Sequence, residues 1–357
     1  MSVYLDYNAT SPLRINVQQK MIEYIGLPAN ASSIHFYGRK AKSLIDEARS
    51  KISSLINCKE DNIVFTSGGS EANSTILKLY KNPLISSIEH DAVIKSSNNP
   101  KFINVCENGI VSLDDLDIKI KEYNPDIISV MWANNETGVI QPIDQIVSIA
   151  NFYNIPVHCD AVQAFGKIPI NFDNSGLHSL SISGHKIGAP SGIGAMILRD
   201  KVNIPPLILG GGQEKGRRSG TENFLGIIGF GSAINSIEKE LKNLEQSYLK
   251  KEKFEKKFLI KNKNSKIIAY NSERLPNTTA IYSPSLSSET LVIKLDLMGF
   301  SVSAGSACSS GKINKSHVLE AMGLKWAVNN TIRVSYGWQN DNNDLDNFIE
   351  AYNNVNN

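Results

Sequence analysis

The chain has 357 residues, of which 41% are hydrophobic and 20% charged, with a formal net charge of +2. That balance belongs to a soluble globular protein with a full core, long enough for two domains, and it neither demands nor opposes an anionic partner. Four scattered cysteines (Cys58, Cys106, Cys159 and Cys308) exclude a zinc or disulfide framework, and no apolar run approaches membrane-spanning length.

In chain order, the opening residues Ser2 to Asp6 lack the basic-then-apolar pattern of a secretory signal, so a reducing cytoplasm is expected. Short apolar runs at 63–66, 84–88, 127–131, 156–159 and 179–182 read as buried strands. Helical patterns at 70–80 and 143–152 lie between them. Alternation of this kind predicts an α/β domain with a mainly parallel sheet flanked by helices. Ligands of such sheets bind beyond the carboxyl ends of the strands, and Ser70, His90, Asn135, Asp160 and Lys186 each follow a strand within a few positions. A long helix is expected over 227–258. Its basic run, 250–257, mixes acids with bases at helical spacing, which is the pattern of a solvated face and not of a nucleic-acid site. Beyond it, strand patterns at 266–270 and 277–282 and helices at 288–298, 317–322 and 344–352 predict a smaller α+β domain. The expected boundaries are 15–249 for the large domain, and 1–14 with 250–357 for the small one.

Several segments carry chemistry. Lys186 ends the run Ser183-Gly184-His185-Lys186, where a partly desolvated amine becomes a candidate nucleophile for a carbonyl. The loop from Thr66 to Asn73 places Gly68, Gly69 and Ser70 between a strand and a helix start, either as a phosphate cradle or as a ligand-free cap. Asp160 directly after a buried strand needs a cationic partner, such as a protonated pyridine nitrogen, or else serves as a helix cap. The amides of Asn134 and Asn135 can position an anionic oxygen. His90 can stack on a flat ring, and the glycine-rich basic loop from Gly210 to Asn223 suits phosphate contact. Arg333, inside a strand pattern, calls for a bidentate carboxylate. Cys308 stands among Ser, Ala and Gly residues, as a loop thiol able to reach a substrate rather than a core cysteine.

These motifs, in this order and nearly end to end, resemble the cysteine desulfurases of the NifS/IscS type, within the class V aminotransferase-like, fold-type I pyridoxal-phosphate enzymes. The resemblance rests on Tyr4 to Thr10, Thr66 to Asn73, Glu89-His90, Asn134-Asn135-Glu136, His158 to Gln163, Ser183 to Lys186, Arg217 to Asn223 and Gly305 to Gly311. It implies pyridoxal 5'-phosphate as cofactor, with Lys186 as the lysine that carries it, Asp160 on the ring nitrogen, Gln163 on the ring hydroxyl and His90 stacked on the ring. Gly69, Ser70, Ser183 and His185 would hold the phosphate, and Thr221 the phosphate of a second subunit, which implies a homodimer. Asn8, Asn135 and Arg333 would bind the substrate, Asn135 bordering the cofactor as well. Cys308 would accept the sulfur of L-cysteine as a persulfide, leaving L-alanine, with His90 moving a proton. An acceptor such as an iron–sulfur scaffold would follow, with tRNA thiolation as a further destination; no direct nucleic-acid or membrane contact and no metal is expected. The alternatives within the superfamily are a selenocysteine lyase or an aminotransferase, neither of which needs a thiol at Cys308.

Overall fold

The computed structural model describes residues 2–200, 202, 204–305 and 315–356. A short strand β1 (Val3–Tyr4) precedes the large sheet, whose strands are β2 (Ile63–Thr66), β3 (Pro83–Ser86), β4 (Lys101–Ile103), β5 (Ile127–Ser129), β6 (Val157–Asp160), β7 (Ser179–Ser183) and β8 (Gly194–Leu198). Their spatial order is β2-β8-β7-β6-β5-β3-β4, and only β8 runs against its neighbours. Most of these strands are buried along their whole length, as expected where helices cover both faces. The apolar run of β8 is not among the strands expected from the sequence, because the Gly- and Pro-rich stretch before it reads as a loop.

Helices Phe36–Ile56 and Phe224–Lys242 pack on one face, where Gly231 lets the backbones approach. A methyl built there would stand 2.6 Å from Ala48 Cβ. The single long helix expected over 227–258 is two, Phe224–Lys242 and Leu244–Lys261. Asn243 breaks it, folding its side chain back onto the Lys239 carbonyl at 3.0 Å in competition with the helical backbone.

The second sheet is antiparallel, in the order β12 (Ser303–Ala304), β13 (Thr331–Ser335), β10 (Thr278–Tyr282), β9 (Lys266–Ile267). The N-terminal β1 pairs with β11 (Phe300–Ser301) beside it. A separate apolar core joins Leu5 to Phe254, Phe258, Ile281, Ile332, Phe348 and Tyr352. Residues from both ends of the chain therefore share one interior. No helix among the described residues is long and apolar enough to cross a membrane.

Candidate active site

Strands β2, β3, β5, β6 and β7 run in one direction, so their carboxyl ends share one edge of the sheet. Ser70, His90, Asn135, Asp160 and Lys186 follow those ends. The register fixes the closest pair of strands, with Asp160 opposite Ser181, five residues before Lys186.

Lys186 ends a 3-10 turn, Gly184–Lys186, and its Nζ donates to the carbonyls of Asn8 and Ala9, 2.7 Å each. Asn8 is the junction of the site. Its carbonyl also accepts from Gln163 Nε2 at 3.0 Å, and its Nδ2 donates to Thr278 Oγ1 at 2.9 Å and to the Asn135 carbonyl at 3.2 Å. Arg333 reaches the same carbonyl through Nη1 at 3.0 Å and holds Asp6 Oδ1 through Nη2 at 2.7 Å. The N-terminal segment, β6, β7, β10 and β13 thus meet around Asn8. Lys167, which sequence patterns did not single out, donates to Asn8 Oδ1 and Gln163 Oε1, 2.7 Å each. It lines a cavity of about 330 Å³ with Tyr7, Arg14, Lys186, Tyr336 and Trp338, on a side that includes neither Ser70, His90 nor Asp160.

Asp160 is 6% exposed, and each carboxylate oxygen is taken: Oδ1 by the Val162 amide at 2.9 Å, Oδ2 by Asn73 Nδ2 at 2.7 Å. Among the described residues no cation pairs with it, so a buried negative charge still lacks a counter-charge. A pyridinium nitrogen fits that need. At the start of helix Gly69–Leu77 the first-turn amides face the same edge, and a methyl built on Gly68 meets nothing within 4 Å. One built on Gly69 would lie 2.6 Å from Val162 Cγ2 and 3.8 Å from Ser183 Cβ, so Gly69 and Ser183 are neighbours. Open space before free helix amides suits a phosphate. The residues present therefore fit pyridoxal phosphate.

His90 is exposed and caps a short helix, its Nδ1 accepting from the Ala92 amide at 3.0 Å. In the neutral ring the proton then sits on Nε2. Glu89 beside it is buried; burial first, then the Asp160 charge, push its carboxyl well above the usual range. His185 meets Thr10 Oγ1 at 3.2 Å, and burial followed by the Lys186 charge pulls its pKa down to about 4. Thr221 stands exposed on the loop that Arg218 ties to Glu71 at 3.0 Å, and the structure does not draw it into the site of its own chain.

Cys308 lies outside the described residues. The flanks of its segment are described, and both meet Glu136, the neighbour of Asn135. Ser316 Oγ donates to Glu136 Oε2 at 2.5 Å, and a methyl built on Gly305 would fall 2.8 Å from the same oxygen. Next to Ser316, His317 Nε2 lies 2.9 Å from the Glu89 carbonyl.

The aminotransferase class-V family model matches residues 3–348. The cysteine desulfurase IscS of Dictyoglomus turgidum is 38% identical over 366 residues, covering 96% of this chain and 91% of that protein. Cysteine desulfurase IscS 1 of Archaeoglobus fulgidus is 38% identical, with 98% and 95% covered. The crystal structure of a NifS-like protein from Rickettsia africae superposes with a TM-score of 0.90 at 37% identity, covering 99% of each chain.

Proposed function

The chain belongs to the aminotransferase class-V family, in its cysteine desulfurase branch of the NifS/IscS type, and from that premise we propose how its residues divide the work. The activity is pyridoxal-phosphate-dependent removal of sulfur from L-cysteine, favoured over a selenocysteine lyase or an aminotransferase by relatives matched over nearly the whole chain. The observation that carries the assignment of residues is the shared sheet edge that gathers Lys186, Asp160, His90 and Ser70, with Asn8 at its junction.

Bound pyridoxal phosphate supplies an aldehyde that condenses with amines and a protonated ring that withdraws electrons from the substrate α-carbon. Lys186 would hold it through its amine, and the same amine is placed to act as the base for the substrate α-proton. Asp160 would keep the ring nitrogen protonated, Gln163 would meet the ring hydroxyl, and His90 would cover one ring face and move a proton during cleavage. Gly69, Ser70, Ser183 and His185 would hold the phosphate. Arg333 and Asn135 take the substrate carboxylate, with Asn8 beside them. Cys308 as thiolate attacks the substrate Sγ; the carbon–sulfur bond breaks, its electron pair stays with the carbon skeleton that leaves as L-alanine, and a persulfide remains on Cys308. The contact of both flanks with Glu136 supports this, since it puts the segment's ends beside Asn135.

The protein acts as a homodimer in the cytoplasm, Thr221 serving the phosphate held by a second copy. The exposed apolar residues Ile25, Ile34, Phe36 and Leu209 favour such a contact. Its sulfur passes to an acceptor protein such as an iron–sulfur scaffold, with tRNA thiolation as a second outlet. For the division into residues 15–249, and 1–14 with 250–357, the support is the core that joins Leu5 to Phe254 and Phe348, although Ile268, Leu275, Ala280, Val318 and Leu319 pack into the core of the large sheet.

The test is incubation with L-cysteine and a reductant, measuring alanine and sulfide, followed by mass analysis for an added sulfur on Cys308. Cys308→Ala keeps the yellow cofactor and loses sulfide release; Lys186→Ala loses the normal cofactor absorption. Wild-type rates in Cys308→Ala would remove the persulfide role.

A further inference from the structure

Strand β6 carries a polar side chain to which the roles above give no work. His158 is fully buried and lies two residues before Asp160, so both side chains leave the strand on the same face. Helix Gly69–Leu77 supplies Asn73, 1% exposed, between them. His158 Nε2 lies 2.9 Å from Asn73 Oδ1, and its Nδ1 lies 2.9 Å from the hydroxyl of Ser179, its register partner on β7. Asn73 Nδ2 is the atom that donates to Asp160 Oδ2.

Donor and acceptor chemistry fixes the direction of this chain. An ionised carboxylate only accepts, so the Asn73 amide must turn its NH2 to Asp160 and its oxygen to His158. That oxygen needs a donor, which puts the imidazole proton on Nε2 and leaves Nδ1 to accept from Ser179. Turning the amide over would set its oxygen against Asp160 and its NH2 against the His158 N–H, two repulsive contacts in a dry interior. Burial, the largest cause, holds the ring neutral by pulling its pKa down to about 3.

We propose that His158 is a positioning residue of the site: as its Nε2–H form it locks the Asn73 amide, and Asn73 in turn holds the Asp160 carboxylate in one orientation toward the ring nitrogen it serves. The last link rests on the assignment of Asp160 proposed above. The first two rest on the hydrogen bonds alone.

The experiment compares His158→Gln, His158→Leu and Asn73→Ala with the wild type, each loaded with pyridoxal 5'-phosphate. Glutamine can place an N–H near the position of Nε2, so His158→Gln binds the cofactor within about threefold of wild type. His158→Leu and Asn73→Ala bind about 10- to 100-fold more weakly, the loss expected for a hydrogen bond to a charged group, with a shifted cofactor absorption band. Glutamine as damaging as leucine, or leucine without effect, overturns the proposal. Should His158→Leu fail to fold, His158→Asn replaces it, its amide falling short of Asn73. A thermal double-mutant cycle on the apoprotein separates the two readings. His158→Leu (or His158→Asn in its place) combined with Asp160→Asn is non-additive with Asn73 present and additive in Asn73→Ala; additivity in both backgrounds overturns the relay whether or not cofactor binds. A wild-type chain that binds no pyridoxal phosphate overturns the assignment of Asp160, while the apoprotein cycle still decides the relay.

Discussion

Lys167 donates to Asn8 Oδ1 at 2.7 Å across 159 residues of sequence, and this contact joins a lysine amine to the residue whose carbonyl holds Lys186. Among the described residues no carboxylate pairs with Lys167. Burial, then the charges of Lys186 and Arg333, hold its pKa well below the usual lysine value. Lys167→Met leaves two amide oxygens, on Asn8 and Gln163, without their donor. We expect KM for L-cysteine to rise about tenfold, equivalent to one hydrogen bond, with a smaller change in kcat. Steady-state kinetics on the loaded enzyme checks the split; an unchanged KM removes Lys167 from the site.

The same lysine gives a pH signature. Between its lowered folded value and the ordinary unfolded one, the unfolded chain binds more protons. Wild-type stability therefore gains as pH rises through that window, and Lys167→Met lacks the gain. Urea titrations of both proteins at several pH values between 7 and 10 measure the difference.

On the acid side two histidines contribute, His158 fully buried and His185 half-buried. His158 and His185 are pulled down to about 3 and about 4, both by burial first. Unfolded histidines titrate near 6.5, so their stability is complete above that pH and is lost as pH falls, for His185 to about 4 and for His158 to about 3. Glu89 and Glu136 oppose them, since burial raises both and their contribution fades as pH climbs above the ordinary carboxyl range. His158→Gln should flatten the acid limb by up to one proton, about 1.4 kcal/mol per pH unit. Denaturant titrations at pH 5, 6 and 7 would contradict this if the two slopes coincide.

Arg333 tests the carboxylate site. Its fork reaches Asp6 and the Asn135 carbonyl, and Nε has no partner among the described residues although it is buried. A substrate carboxylate beside it would find donors already fixed in a plane. Arg333→Lys keeps the charge and loses the fork, and we expect kcat/KM to fall about 100-fold, mostly through KM. An analogue lacking the carboxylate should lose that sensitivity.

Much of this arrangement was legible because several candidates follow an apolar run within a few positions, and parallel strands carry such residues to one edge. Lys186, Asp160, Asn135 and Ser70 follow that rule. Arg333 was legible for another reason, a charge inside a strand pattern. Lys167 was not, because its partners are amide oxygens on Asn8 and Gln163, and no sequence spacing announces a lysine held without a carboxylate. His158 and Asn73 stood inside quoted motifs without roles, since their bond depends on a helix lying over β6. The fold was misread at Asn243 and at β8. In both places local chemistry, a side chain capping its own helix and a Gly-rich approach to a strand, differed from the apolar pattern around it.

Gly194 offers the sharpest test that the cradle at the sheet edge is built by backbone packing. It pairs with Thr66 on one side and Ser183 on the other, so it lies between the two strand ends that present Gly69-Ser70 and Ser183-His185. A methyl built on it would stand 2.6 Å from the Ile182 carbonyl and 2.7 Å from Gly68 Cα. Both neighbours are backbone and cannot rotate away, so Gly194→Ala must push Gly68 and with it the helix start. Overpacking of this kind costs about 1–3 kcal/mol of stability. Displaced first-turn amides should weaken pyridoxal phosphate binding at least tenfold while leaving Lys186 in place. Gly26→Ala, where a methyl meets nothing within 4 Å, is the control and should change neither quantity. Thermal unfolding of the apoprotein and an absorbance titration with the cofactor read the two effects separately. A Gly194→Ala protein with wild-type affinity would mean that the phosphate is held elsewhere than at the Gly69 helix start.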